Sequence, residues 1–349
     1  MRLRRITEVP EFGVITACVV VFIGVTLLKP SFANPSNLQV IGLDLANYGI
    51  LAIGVTFTIL TAGIDLSPGS LVAFTSMVSA YANANLGVPM LLCVVLSIAV
   101  GAVIGYLHGW FITRLNVPPF AITLVTLTAA AGGALALTKG QPISGVSDAY
   151  LTLVETRVAG VPVPVIVFTV VAVGAWFYLE RTYAGRQVYA VGGNIEAARL
   201  SGIPVLRRLL FAYVVSGACA GIVGVLVIGR IGVGDPSVGS GWELDAIAAA
   251  VIGGVSLYGG EGRVIGVVAG ALLLMLINNA LIVLNVSPFY QQVALGLVLG
   301  VAIVADRVRA QRRGKPRPRR LPRSVAGSGS ASADDARATA ATGAGPQQG

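Results

Sequence analysis

Charge is what this chain has least of. Only 11% of its 349 residues are Asp, Glu, Lys or Arg, against about a quarter in an average soluble domain. With 55% of residues hydrophobic and a mean hydropathy of +0.84, a water-soluble globular fold is excluded. Cysteine is scarce too. Cys18, Cys93 and Cys219 each lie inside an apolar run, and no CxxC or Cys/His spacing exists. Neither a disulfide framework nor a zinc site is supported. The single histidine, His108, has no partner at catalytic or metal-binding spacing, so a packed or lumen-facing neutral ring is expected. No GxxxxGK[ST] phosphate loop occurs, so the chain brings no nucleotide-hydrolysing site of that kind. No cofactor or metal is implied.

What is present in quantity is long apolar runs. Windows of membrane-spanning length give ten spans, at 12–28, 39–62, 67–86, 89–113, 118–137, 162–179, 209–229, 242–258, 264–284 and 289–305. The expected fold is an all-α polytopic membrane protein of about ten transmembrane helices. The formal charge of +9 lies in short arginine clusters beside these runs, which fits topology signals and not nucleic acid. Place the N-terminus in the cytoplasm. Arg2, Arg4, Arg5, Arg114, Arg181, Arg186, Arg199, Arg207, Arg208, Arg263 and ten more after Ala305 then lie inside, and only Lys29, Lys139, Arg157 and Arg230 lie outside. That positive-inside bias predicts a multi-pass protein of the bacterial plasma membrane with both termini cytoplasmic. Residues 1–33 also fit a signal peptide, with Ser31-Phe32-Ala33 as a small-x-small site, although the apolar run suits a retained anchor better. Residues 1–306 read as the transmembrane domain, and 307–349 as a basic stretch followed by a disordered tail.

Glycine punctuates these runs. From Asp245 the chain reads DAIAAAVIGGVSLYGGEGRVIGVVAGALLL: an apolar run too short for the bilayer, a glycine-rich break, then a long run. Irregular backbone at membrane depth is tolerated only inside protein or along a cavity, and broken helices mark translocation paths in transporters. An ordinary loop between two spans fits equally well. Parity of the charged ends requires the element at 242–258 to cross rather than dip back. Ala62-Gly63-Ile64-Asp65-Leu66 aligns with Gly253-Gly254-Val255-Ser256-Leu257, and Gly69 with Gly260. Internal duplication or a chance match on Gly and Leu would each account for this. Small residues spaced by four, Gly101/Gly105/Gly109, Gly217/Gly221, Gly266/Gly270 and Gly296/Gly300, predict a tight bundle and fit a dimer.

The longest cytoplasmic loop is 180–208. Asn194 reads as an N-cap, Glu196 suits the first turn, and Gly202 stops the chain. One short helix of about two turns is therefore expected, either a mechanical contact or an amphipathic connector. Glu196-Ala197-Ala198 followed by Gly202 looks like the EAA-xxx-G signature of ATP-binding-cassette importer permeases, without the later I-x-LP part. Together with LTAGIDLSPGS at 60–70 and the GWELDAIAAAVIGGVSLYGGEGRVIGVVAGALLL run, the chain resembles the ribose/xylose-type sugar permeases over about residues 12–306. That family often has Gly where this chain has Ala62. The resemblance implies a permease subunit, itself not an enzyme, that takes a monosaccharide from an extracytoplasmic sugar-binding protein. It implies pairing as a homodimer or pseudo-dimer and docking on a separate cytoplasmic ATPase through Glu196, Ala197, Ala198 and Gly202. A branched-chain amino-acid permease is the nearer alternative and an ion-coupled secondary transporter the further one. The latter class keeps a buried acid in mid-span, whereas the acids here read as lying at span ends.

Polar side chains within spans are path candidates. Asp44 and Asn47 share a helix face, Asn278 and Asn279 lie in the ninth span, and Asp245 starts the eighth. They would form an outward polar vestibule, or else the amides glue helices together. Asp65 fits a cap on the helix at Ser67-Pro68. Ser256 lies in the glycine break and lacks a base, so no serine hydrolase is read there.

Overall fold

The computed structural model describes residues 10–287 and, beyond them, the single positions 290, 293, 296, 297, 300 and 304. The basic N-terminus, most of the expected tenth span at 289–305 and the tail at 307–349 lie outside the described residues. The described chain is almost wholly helical: α1 (Pro10–Leu28), α2 (Pro35–Leu60), α3 (Pro68–Ala84), α4 (Met90–Arg114), α5 (Pro119–Ala136), α6 (Ala149–Glu155), α7 (Val163–Trp176), α8 (Tyr183–Gly193), α9 (Ile195–Leu200), α10 (Val205–Ile231), α11 (Trp242–Ile252) and α12 (Val264–Val283). Among the described residues six helices are long and apolar enough to cross a membrane, and the helix at Phe12–Leu28 is shorter. The chain is thus an all-α polytopic membrane protein.

Proline opens several helices at their first turn, where its missing N–H costs nothing, as at Pro35, Pro68 and Pro119. The centre of the bundle is α10, most of whose length is buried. It runs antiparallel to α4 along a seam of small residues. A side chain on Gly101 would strike the Gly217 carbonyl, one on Gly105 the Tyr213 carbonyl, and one on Gly221 the Ser97 carbonyl. Ser97 Oγ also donates to Gly221 O at 2.8 Å. A second seam joins α11 to α12, where Gly270 abuts Ala249 O and Gly253 abuts Gly266 O. Three of the four glycine spacings read from the sequence therefore bring backbones together. Gly296 and Gly300 have nothing within 4 Å among the described residues.

Three details depart from the sequence reading. The eighth span is not a helix over 242–258: α11 has only 11 residues, about 16 Å at 1.5 Å per residue, and 253–263 is irregular. The chain reaches α11 through an irregular segment, 232–241, that packs along α3, with Gly234 against Ala80 and Gly239 against Val72 and the Gly69 carbonyl. Second, the loop at 180–208 holds two helices rather than one, the amphipathic α8 preceding α9. Third, 138–161 is not a plain loop, since it forms α6 and a hairpin pairing Arg157 with Pro162 and Val158 with Val161. The α9 end of the bundle carries Arg114, Arg181, Arg186, Arg199, Arg207, Arg208 and Arg263, and the hairpin end carries Lys29, Lys139, Arg157 and Arg230.

The α4–α10 seam is sharply testable. Gly101→Leu or Gly217→Leu should cost about 3 kcal/mol or more, read by thermal unfolding in detergent. Gly132→Leu, with nothing within 4 Å of the new Cβ, should change stability by about 0.5 kcal/mol or less.

Candidate functional site

The residues that carry chemistry fall into two groups, one at the α9 end and one about half-way along α2. At the α9 end three glycine-containing turns meet. Gly260 N donates to Leu60 O at 3.0 Å, the carbonyl that ends α2. A side chain on Gly192 would strike that same Leu60 carbonyl, and one on Gly260 would lie 2.7 Å from Gly193 N. Tyr189 OH donates to Gly262 O at 3.0 Å. Burial pushes the Tyr189 phenol up to about 12, with Glu180 adding to the rise and Arg263 opposing it, so it remains a neutral donor at ordinary pH. The C-terminus of α2, the break after α11 and the end of α8 thus form one backbone-to-backbone node.

The short helix α9 leaves directly from this node. Asn194 caps it as the sequence predicts, its side-chain oxygen accepting from Ala197 N at 2.9 Å. Glu196 and Arg199 pair across one turn at 3.5 Å and stay well exposed. Ala198 is buried against Val191, Val205 and Leu209, while Leu200 stands 88% exposed. Gly202 has φ +76° with open space around it, the left-handed conformation that ends a helix. What α9 presents is a small charged and apolar knob packed through Ala198 on α8 and α10.

Asp65 lies deeper than a span-end acid. It is 1% exposed and accepts from Ser67 N at 3.0 Å, Ser67 Oγ at 2.6 Å and Ser216 Oγ at 2.7 Å. Asp65 therefore orders the turn before α3 and ties it to α10, while the α3 N-cap itself, Ser67, receives no side-chain cap bond. His108 is buried, with Nε2 2.7 Å from Thr126 Oγ1. Ala62 takes φ +61°, a conformation costing an L-residue roughly 1–2 kcal/mol.

The second group gathers around the start of α11. Asp44 accepts from Arg230. One turn along α2, the Tyr48 ring packs on Trp242 with centroids 4.7 Å apart, and the charges of Asp245, Asp44 and Arg230 all act on its phenol. Glu243 places its carboxylate against Gly69 in the first turn of α3, where the helix dipole favours a negative charge. The N-termini of α3 and α11 therefore meet, beside a cavity of about 250 Å³ lined by Ser70, Leu127, Ser237 and Glu243 among others.

Of the candidates read from sequence, Asp44 and Asp245 both lie within electrostatic reach of Tyr48. Asn47 is buried on the same helix, with Oδ1 unpartnered among the described residues. Asn279 is used elsewhere: it exchanges hydrogen bonds with Asn37 at 2.8 and 3.1 Å, two turns up α2 from Asp44, so it acts as glue. Asn278 beside it is half-buried. Ser256 sits in the node, its Oγ accepting from Tyr258 N at 3.3 Å. Sequence reasoning missed Tyr48, Arg230, Trp242, Glu243, Gly192 and Tyr189. For Arg230 a signal existed, as one of four outer cations at the end of an apolar run.

A bundle of apolar helices with irregular, glycine-broken segments held inside it, and charged groups beside them, is the architecture of a membrane transport protein. The chain belongs to the family described as branched-chain amino acid transport system / permease component, which matches residues 40–303. It is 38% identical over 294 residues to the ribose import permease protein RbsC of Haemophilus influenzae, covering 83% of this chain and 91% of that one. The D-allose transport system permease protein AlsC of Escherichia coli is 36% identical over 294 residues, 84% and 90% of the two chains. The xylose transport system permease protein XylH of the same species is 34% identical, covering 79% and 85%. No solved structure matches the chain.

The node predicts an asymmetry between neighbours. Gly192→Ala forces Cβ into the Leu60 carbonyl and should lower the unfolding midpoint by several degrees, at roughly 2–4 °C per kcal/mol. Gly193→Ala, with nothing within 4 Å, should leave the midpoint within about one degree of the parent. Differential scanning fluorimetry of the purified protein distinguishes them.

Proposed function

We propose that this chain is the membrane permease subunit of an ATP-binding-cassette importer for a monosaccharide of the ribose or xylose type. The observation that carries this reading is the likeness, along most of the chain, to permeases named for ribose, allose and xylose. The family description names branched-chain amino acids, which keeps that cargo as the second reading; all three of those relatives favour sugar. The chain is not itself an enzyme. ATP hydrolysis belongs to a separate cytoplasmic subunit, and sugar arrives on an extracytoplasmic binding protein. An ion-coupled mechanism is disfavoured because Asp65, the one fully buried acid among the described residues, is held by Ser67 N, Ser67 Oγ and Ser216 Oγ as a structural tie between the turn before α3 and α10.

In this reading ten spans place both termini in the cytoplasm of a bacterium, and the permease works as a homodimer or pseudo-dimer. The arginine-rich α9 end faces inward, as the positive-inside rule requires. α9 is the element that docks in the motor, through Glu196, Ala197, Ala198 and the turn at Gly202. Because α8 ends in the node, displacement of α9 reaches the end of α2 and the break after α11 without passing through flexible side chains. The first of these helices carries Asp44, Asn47 and Tyr48, and the second begins with Trp242 and Asp245. Closure of the motor would thereby be felt at the residues that border the path.

Two experiments test this. A reporter inserted near Ser147 should be external and one after Arg313 cytoplasmic; both on one side would break the ten-span topology. At Gly202 the cost is confined to the backbone, since no atom is near. Gly202→Val should weaken recovery of the ATPase subunit on co-purification and lower sugar uptake at least severalfold, while Gly202→Asn, which tolerates positive φ, should keep most of both. Equal, parental behaviour of the two variants would leave α9 as a connector only.

A further inference from the structure

Charged side chains that keep partial exposure inside an apolar bundle face water or protein, not lipid. Arg230 and Asp44 retain 32% and 25% side-chain exposure although α10 and α2 both carry them within apolar helices. Beside them Tyr48 and Trp242 are half-buried, with rings 4.7 Å apart and inclined at 42°. Trp242 is the first residue of α11, where the chain emerges from the irregular segment 232–241. Such backbone is stable in a bilayer only against protein or along a wet cavity. Asp245, one turn further, makes no ion pair or hydrogen bond among the described residues through its side chain. Arg230 is therefore spent on Asp44, and Asp245 is left as a free acceptor next to an aromatic surface.

An aromatic face with a free carboxylate at its rim complements one kind of small polar solute. A monosaccharide carries a patch of C–H bonds on a ring face and hydroxyl donors around its edge. The C–H patch is apolar enough to lie on an indole, and the edge hydroxyls can donate to a carboxylate. We propose that Trp242 and Tyr48 form a stacking platform for the sugar ring in transit, with Asp245 accepting from its hydroxyls and the Asp44–Arg230 pair bounding the site. This rests on the sugar-import reading and assigns that reading its contact residues. A platform at the first turn of α11 also lies directly on the element whose other end is held in the node, so that motor movement would reshape it.

The test uses the complete importer, reconstituted in liposomes with its ATPase and its binding protein loaded with D-ribose or D-xylose. Flux and binding-protein-stimulated ATPase rate are measured together. Trp242→Leu should lower flux about three- to tenfold while the stimulated ATPase rate is kept, and Trp242→Phe should restore at least half of the flux. Asp245→Asn should lower flux with the ATPase rate likewise kept. Parental flux from Trp242→Leu overturns the platform alone. So does a parallel loss of flux and ATPase stimulation in both Trp242 variants, because that marks a packing role. If the unaltered importer carries L-leucine and neither sugar, the sugar reading falls and the platform falls with it.

Discussion

A backbone amide in hydrocarbon has no water to turn to, and the shape of this protein follows from that constraint. Wherever a helix is interrupted, the freed N–H and C=O groups need protein partners at close range. The interruption after α2 and the one after α11 solve this jointly, Gly260 N reaching the Leu60 carbonyl. Only glycine permits backbones to come that near, so the glycine content of the breaks and their mutual contact have a common cause. The end of α8 fits into the same space because Gly192 is as bare as its neighbours.

The same constraint explains why a half-length helix is stable here. α11 could not span alone, yet its approach segment is packed against α3, and its own length is buried between α2 and α12. The meeting of two helix N-termini would set like partial charges together. Glu243 at the junction supplies the opposite charge, and Asp65 holds the turn before α3 against α10. Acidic side chains thus sit where helix ends need them.

Local signals were the legible ones. Glycine spacing along 101–109, 217–221 and 266–270 foretold backbone seams, and Asn194 with Gly202 foretold the limits of α9, since capping and positive φ act within a few residues. The resemblance to sugar permeases rested on motifs of the same short range. What stayed illegible depends on tertiary pairing. Tyr48 and Trp242 lie far apart in the chain, and nothing in either neighbourhood announces the other. α8 was missed because its apolar face is short and lies in a segment whose charge reads as loop. The end of α11 was placed too late because hydropathy continues past Ile252, whereas the helix stops where Gly253 must press on the Gly266 carbonyl. Asp65 looked like a span-end acid for a related reason: distance along a helix says little about depth once the helices are of unequal length.

The α4–α10 seam has a mechanical consequence. Two long helices joined backbone to backbone cannot slide independently, so they turn as one beam. α10 has 27 residues, roughly 40 Å of helix, and a tilt of about 5° at its α9 end would swing the far end by some ~3.5 Å. That far end carries Arg230, whose hold on Asp44 is a single contact between two helices. A lever of that length turns a small angular displacement at one face into the making or breaking of an ion pair at the other.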